Sequence, residues 1–163
     1  MQSCIYTSGY GYSKRLCEDV TTWFLNKFLP RHKIEVEILH RGLKREEVYG
    51  YCDYVGDSYR PREFLIELQT HMDDELYIKT LLHELVHLRQ WVVGSLRSKR
   101  GKMYYGKECI EDFEYWDQPH EIEAREQEET LYLKYLIEKN CVPVLQVSQW
   151  FPNRLMSGAI ITE

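Results

Sequence analysis

Residues 83–87 read His83-Glu84-Leu85-Val86-His87, and they constrain this fold more than any other stretch of the chain. The pattern has the form H-E-x-x-H. Two histidines four residues apart lie on one face of a helix, where each can offer a ring nitrogen to one zinc ion. The glutamate between them can act as a general base towards a water molecule. Five residues with three fixed types also occur by chance, so the rest of the chain must supply a third ligand and a cleft.

Length and composition predict one globular domain spanning residues 1–163. Apolar residues make up 44% of the chain and charged residues 29%, which excludes a disordered polymer. The net charge of −5 argues against a dedicated nucleic-acid-binding protein. The sequence shows no signal peptide and no apolar run long enough for a membrane span, so we expect no membrane partner.

The five cysteines predict a reducing compartment. Their number is odd and none forms a C-x-x-C pair. A disulfide framework and a second, cysteine-built zinc site are therefore not expected. The predicted localisation is the cytoplasm.

The N-terminal half predicts a helix followed by three strands. Apolar residues recur at helical spacing over residues 13–29, and Pro30 ends that helix. Three short segments with strand-like patterns follow, at 34–39, 49–55 and 63–69.

The C-terminal half predicts two long helices. The first covers 73–93, with acidic residues at its start and Gly94 at its end. Residues 95–118 look irregular, with a small hairpin near 103–110. The second helix covers 119–139 and begins with Pro119, and the tail at 142–150 reads as a strand or an extended segment.

The helical wheel of the first long helix separates an apolar stripe from the histidines. At 100° per residue, the stripe consists of Ile78, Leu81, Leu82, Leu85, Leu88 and Val92. His83 and His87 fall on the opposite side, near Gln90 and Trp91. We therefore expect the stripe to pack on a sheet and the histidines to face a cleft, although two solvated surface histidines would give the same wheel.

A catalytic zinc site needs a third protein ligand, and the last helix offers Glu121 and Glu123. Glu121 shares its side with a largely apolar stripe that includes Ala124, a small residue that would let two helices approach closely. Glu123 shares its side with polar residues such as Gln127, which predicts a solvated face. Glu121 is therefore the preferred ligand, although any helix favours an acid in its first turn.

These residues carry a resemblance to a known family. The H-E-x-x-H motif, followed by a helix with E-x-x-A at Glu121 and Ala124, resembles the gluzincin metallopeptidases. The longer strings at 83–90 and 115–124 look like small SprT-like metallopeptidases encoded by tailed bacteriophages, and ImmA/IrrE-type peptidases show a looser version. The resemblance covers roughly residues 63–130.

The resemblance implies a minimal zincin-like α+β domain. Such a domain has an N-terminal helix, a small mixed sheet of three to four strands, the H-E-x-x-H helix and a second ligand-bearing helix. It also implies one catalytic Zn²⁺ held by His83, His87 and Glu121, with Glu84 as the base. The strand at 64–69 would then lie at the sheet edge above the cleft and bind a peptide substrate, although an ordinary interior strand fits the pattern equally well.

The chain departs from this family at two points. Arg125 stands where many gluzincins have Asp or Asn to support a zinc-bound histidine, and Glu128, two turns after Glu121, is a candidate for that role. The paired-cysteine module of some SprT-like proteins is missing, so a DNA-linked role is not implied.

The sequence therefore predicts a zinc metallopeptidase that acts on a peptide or protein substrate. The alternative is a non-catalytic, zinc-stabilised phage protein that binds and modulates a host factor. His120, Tyr104, Tyr105 and Tyr132 are candidates to stabilise the oxyanion. The basic segment 97–102 and the acidic segment 108–117 lie between the two ligand helices and either wall the cleft or form solvated loops. The sequence specifies neither the substrate nor the oligomeric state.

Overall fold

The computed structural model describes residues 2–139, and within them the chain forms an α+β fold of three α-helices and two β-sheets. The predicted fold class is confirmed. The tail segment predicted at 142–150 lies outside the described residues. No helix within residues 2–139 has both the length and the apolar character needed to cross a membrane.

The larger sheet has four strands in the order β1-β2-β4-β3. β1, β2 and β4 run parallel to one another, and β3 runs antiparallel to β4. Their bounds are β1 Cys4–Gly9, β2 Glu35–Arg41, β3 Gly50–Tyr54 and β4 Glu63–Gln69. The sequence predicted the last three strands and their bounds closely.

The prediction that a helix comes first is wrong, because β1 precedes it. The side chains of β1 do not alternate cleanly between buried and exposed, so the segment lacks the period-2 signal of a strand. It becomes a strand by pairing along its whole length with β2, from Cys4 opposite Glu35 to Gly9 opposite His40.

The sheet has one buried and one exposed face, as the alternation in 34–39 predicted. In β2 the buried residues are Val36, Ile38 and His40. Their neighbours in β4 are Phe64, Ile66 and Leu68, which are also buried. This shared apolar face is where the helices pack.

Local signals set the ends of the three helices, which are α1 Lys14–Phe28, α2 Asp74–Val93 and α3 Pro119–Glu138. The side chains of Ser13 and Asp73 cap the first two helices by accepting hydrogen bonds from backbone N–H groups, at 3.3 and 3.0 Å. Each such cap contributes about 1 kcal/mol. Gly94 ends α2 in the left-handed conformation with φ of 82°.

Helix α2 lies between α1 and α3 and against strands β3 and β4. All six residues of its predicted apolar stripe are buried. The opposite side of the helix is also largely covered, but there the covering elements leave a cleft. The H-E-x-x-H residues of α2 therefore border this cleft.

A small antiparallel sheet connects α2 to α3. Its strands are β5 Leu96–Lys99, β6 Lys102–Tyr105 and β7 Glu108–Cys109. The predicted hairpin near 103–110 corresponds to β6 and β7, whereas β5 was not predicted. Two 3-10 turns, Ile110–Asp112 and Tyr115–Asp117, lead from this sheet into α3.

Candidate metal centre

The motif residues lie on the side of α2 that faces the cleft. The His83 and His87 side chains are 17% and 10% exposed, and the carboxylate between them, Glu84, is buried. The two imidazole rings are nearly perpendicular, at 80°. Their Nε2 atoms lie 3.2 Å apart.

Glu121 completes the group from the first turn of α3. Its Oε2 lies 3.4 Å from His83 Nε2, and its Oε1 lies 3.4 Å from His87 Nε2. Ala124, one turn later, is fully buried, which is consistent with the close approach of α3 to α2 that the sequence predicted. Among the described residues, His83, His87 and Glu121 form a group whose ligand atoms all lie within 4.8 Å of one another.

The three side chains lie close enough together to share one metal ion. Zinc binds nitrogen and oxygen ligands at about 2.0–2.1 Å, so two ligands on adjacent corners of a tetrahedron lie about 3.3–3.4 Å apart. The 3.2 Å separation of the two Nε2 atoms is close to that edge, and each Nε2 atom lies 3.4 Å from a different oxygen of the Glu121 carboxylate. Two imidazole nitrogens and a carboxylate are also the donor set that zinc accepts in catalytic sites.

A hydrogen-bond network holds the Nδ1 atom of His87. Gln90 Nε2 donates to the backbone oxygen of His120 at 3.0 Å and to Glu123 Oε2 at 2.8 Å. Both partners can only accept, so the amide oxygen of Gln90 must face His87 Nδ1, which lies 2.9 Å away. His87 Nδ1 therefore carries a hydrogen. The protonated ring also donates from Nε2 to Glu121, and loss of that second hydrogen frees the Nε2 lone pair for a metal ion.

Glu123 is the anchor of this network, and its predicted solvated environment is wrong. Its side chain is 27% exposed. Besides Gln90, its carboxylate accepts hydrogen bonds from Tyr105 at 2.6 Å, Arg89 at 3.0 Å and Gln127 at 2.8 Å. Glu123 thus serves the site as a support for Gln90, while Glu121 faces the histidines as the sequence predicted.

His83 is supported by the residue that the sequence singled out for such a role. Glu128 Oε2 lies 3.4 Å from His83 Nδ1, on the ring nitrogen that faces away from Glu121. Each histidine therefore has its Nδ1 atom held by a polar side chain and its Nε2 atom directed into the shared group.

The electrostatics of the group combine burial with opposite charges. Burial raises the pKa of Glu84 to about 7, against the opposing effect of His87 and His83. Burial alone would disfavour ionisation of Glu121, but hydrogen bonds from His83 and His87 hold its pKa well below the usual range. Burial would also lower the pKa of His83, yet its hydrogen bonds to Glu121 and Glu128 raise it to about 9. The fold thus concentrates negative charge around the two imidazoles.

A cleft of about 560 Å³ lies over these groups. Its floor is α2, one wall is β3 and another is the inner face of the small sheet. β3 runs alongside α2, so that Gly50 lies against Glu84 and Tyr54 packs edge-on against Trp91 with ring centroids 4.7 Å apart. Leu96 closes the same apolar end as Trp91.

Gly50 leaves the space that Glu84 occupies. A Cβ atom at Gly50 would lie 2.8 Å from Glu84 Oε1 and 3.0 Å from its Cγ. Any larger residue would push the carboxylate out of its position, so the absence of a side chain on β3 sets where Glu84 points.

The edge strand beside the cleft is β3, and the expectation that strand 64–69 lies at the edge is wrong. That segment is β4, which pairs with β2 on one side and β3 on the other. β3 forms an antiparallel hairpin with β4 on the side away from β2, and it therefore becomes the edge strand. The order of the predicted strands along the chain does not specify this pairing.

Of the four predicted oxyanion-stabilising candidates, His120 is the one that lines the cleft. His120 lines the cleft, whereas Tyr105 is bonded to Glu123, and neither Tyr104 nor Tyr132 lines the cleft. Burial, with a contribution from His87, lowers the pKa of His120 to about 4, so its ring is neutral at pH 7. Its Nδ1 atom is buried and has no hydrogen-bond partner within residues 2–139.

The sequence analysis did not identify Tyr115, Gln90 or Gly50 as site residues. Tyr115 lines the cleft, and burial together with the Glu121 carboxylate raises the pKa of its hydroxyl to about 12. Gln90 was detectable in principle, because position i+3 from His87 lies on the same helix face. Gly50 and Tyr115 come from distant segments, and no local pattern marks them.

Comparison of the chain with protein-family models, with curated proteins and with solved structures finds no match. The resemblance to SprT-like metallopeptidases therefore stays a prediction from the motifs.

Proposed function

We propose that this protein is a zinc-dependent peptidase. One observation carries the proposal: the Nε2 atoms of His83 and His87 and the Glu121 carboxylate lie 3.2–3.4 Å apart, with Glu84 beside them in an open cleft. This arrangement has the ligand number and spacing of a catalytic zinc site and a carboxylate in the place of a base.

The number of ligands favours catalysis over a purely structural metal. Structural zinc sites use four protein ligands, whereas catalytic sites use three and leave one position open. Within the described residues the ligand group has three members. His120 lies nearby, with its ring centroid 5.5 Å from that of His87, but it is not a member of the group.

The chain's own residues supply the remaining steps of amide hydrolysis. A bound zinc ion would supply Lewis-acid polarisation of the scissile carbonyl and a lower pKa for the attacking water. Glu84 accepts the proton of that water and passes it to the leaving amine. His120 and Tyr115 line the cleft next to Glu121, and each has a polar group that can donate a hydrogen bond to the developing oxyanion.

A polypeptide is the substrate class that suits the cleft. Among the described strands, β3 is the edge strand that borders the cleft, and an extended peptide can pair with such an edge through backbone hydrogen bonds. Beyond His87, the cleft ends among Tyr54, Trp91 and Leu96, which would accommodate a large apolar side chain next to the scissile bond. We place this activity in the cytoplasm, on the cysteine pattern alone.

The alternative, a zinc-stabilised binding protein without activity, has no use for Glu84. Burial of a carboxylate that binds no metal lowers the free energy of unfolding, so its presence favours a functional role. Gly50, kept free of a side chain against that carboxylate, adds to the same argument.

The decisive experiment compares the wild type with Glu84→Gln. Metal analysis of both proteins should give one zinc per chain, because Glu84 is not a ligand in the proposal. Cleavage of a proteome-derived peptide library should fall by at least about 100-fold in the variant, which is the scale of general-base contributions. Equal cleavage by both proteins would refute the base assignment, and zinc without any Glu84-dependent cleavage would support the binding protein instead.

A further inference from the structure

The small sheet presents a cationic surface on the side away from the cleft. We define the basic face as Arg97, Lys99, Arg100, Lys102 and Lys107, which surround Tyr104. Strand pairing places Arg97 beside Tyr104 and Lys99 beside Lys102 on the same side of the sheet. All five cations are exposed. Four of them, with Tyr104, line a shallow surface pocket of about 300 Å³.

These cations have no acidic partners. Residues 95–107 contain five basic side chains and no acidic one, in a chain whose net charge is −5. Within the described part of the chain, none of the five forms an ion pair. Some other cations do have acidic partners, since Lys79 and Arg89 each pair with a glutamate. The basic face differs in that its five cations lie together on one small sheet. Acidic side chains of residues 2–139 therefore leave the charge on the basic face unneutralised.

Two features of the basic face destabilise the β5–β6 hairpin. Lys99 lies directly opposite Lys102, and like charges in that position destabilise a strand pair. Arg100 occupies the turn between them with φ of 53°, a left-handed conformation that favours Gly, Asn or Asp. Neither choice helps the hairpin fold, so both point to a role in binding.

We propose that the basic face is a docking site for an acidic segment of a polypeptide. The strands are only four residues long, which corresponds to about 13 Å and suits a short extended segment. A nucleic-acid duplex would extend well beyond this face, because it carries a charge every 1.7 Å or so along its axis. It would then meet the acidic segment 108–117 that follows the sheet. A short acidic peptide avoids this repulsion.

The location of the basic face connects it to the cleft. Leu96 and Met103 alternate with Arg97 and Lys102 along the same two strands, and their side chains line the cleft on the opposite side of the sheet. One layer of sheet therefore separates the two surfaces. A substrate that passes round the sheet would place its acidic segment a short stretch of chain away from the scissile bond. This role in substrate selection rests on the proposed peptidase function, whereas the docking itself does not.

Fluorescence anisotropy with a fluorescein-labelled deca-glutamate peptide tests the docking on the full chain. The triple variant Arg97→Gln, Lys99→Gln, Lys102→Gln should weaken binding by at least about tenfold, and added salt should weaken wild-type binding further. The matched control, Arg31→Gln, Lys33→Gln, Lys44→Gln, removes the same charge from exposed cations without ion pairs and should change binding by less than about twofold. Arg100→Asn should weaken binding while raising the melting temperature, a combination that a merely structural role would not produce.

Three outcomes would overturn the proposal: no binding of the peptide, equal loss in both triple variants, or tighter binding of a single-stranded DNA decamer at the same face. A second measurement compares cleavage of one peptide with and without a glutamate-rich extension. If the peptide binds as expected but neither peptide is cleaved, the docking site is supported and the proposed peptidase function is rejected. Cleavage that ignores the extension would reject the role in substrate selection and leave the peptidase standing.

Discussion

Replacing Gln90 by leucine would test whether the support of His87 controls metal affinity. In the wild type, Gln90 accepts the Nδ1 hydrogen of His87 at 2.9 Å and donates to the His120 backbone oxygen at 3.0 Å and to Glu123 at 2.8 Å. Leucine has a similar size and helix propensity but can make none of these bonds. His87 would then lose the contact that sets its tautomer and ring orientation.

The expected magnitude follows from the bonds that are lost. Polar residues that orient a metal-bound histidine contribute about 10–100-fold to metal affinity, which corresponds to about 1.4–2.7 kcal/mol. In the metal-free protein, the His87 Nδ1–H group is left buried without a partner, whereas the His120 carbonyl still serves as an acceptor within helix α3. The unpaired N–H group lowers the free energy of unfolding by about 1–3 kcal/mol. Glu123 keeps three of its four donors, so its position should change little.

Gln127→Leu provides the matched control. Gln127 also donates to Glu123, at 2.8 Å, and accepts from Arg89, but it does not contact His87. Competition with a chromophoric zinc chelator gives the dissociation constant of each variant. We expect the dissociation constant for zinc to increase by about 10–100-fold in Gln90→Leu and by less than about threefold in Gln127→Leu. A Gln90→Leu protein that binds zinc as tightly as the wild type, or two variants with equal losses, would refute this reasoning.

Three further predictions concern other residues. Glu121→Ala should lower the zinc content far more than Glu123→Ala, because only Glu121 faces the histidines; metal analysis giving the reverse ranking would overturn the ligand assignment. Gly50→Ala should reduce turnover by about 10–100-fold with unchanged zinc content, because the new methyl group displaces the motif carboxylate; Gly42→Ala, where the nearest atom is 4.0 Å away, should be close to wild type in the same assay. Burial lowers the pKa of His40 below its usual 6.5, so the unfolded chain binds more protons as the pH falls below that value, and the free energy of unfolding should decrease there. Urea denaturation at pH 7.5 and 5.5 should show a smaller decrease for His40→Gln, and an equal decrease would argue against a buried neutral ring.

Much of the fold follows from local patterns. The helix over 13–29, capped by Ser13 and ended before Pro30, forms as predicted because its signals lie within a few residues of one another. The alternation in 34–39 likewise predicts β2 and its exposed face. β1 was missed because its strand state depends on pairing with β2, which lies about 30 residues later in the chain. β5 pairs with the adjacent β6, but its four residues are too few to show a clear strand pattern.

The sequence by itself determined that the two histidines of the motif, with the carboxylate between them in the chain, share one helix face, because a spacing of four residues places side chains on one face of any α-helix. It also favoured Glu121 over Glu123, since the apolar stripe of a helix indicates which side faces a neighbour. Only the tertiary structure decided that Glu123 supports His87 through Gln90, because that contact joins residues 33 positions apart on two different helices. The same is true of β3 as the edge strand and of Gly50 beside Glu84. A helix carries its own geometry within the chain, but the meeting of two elements depends on how the whole core packs.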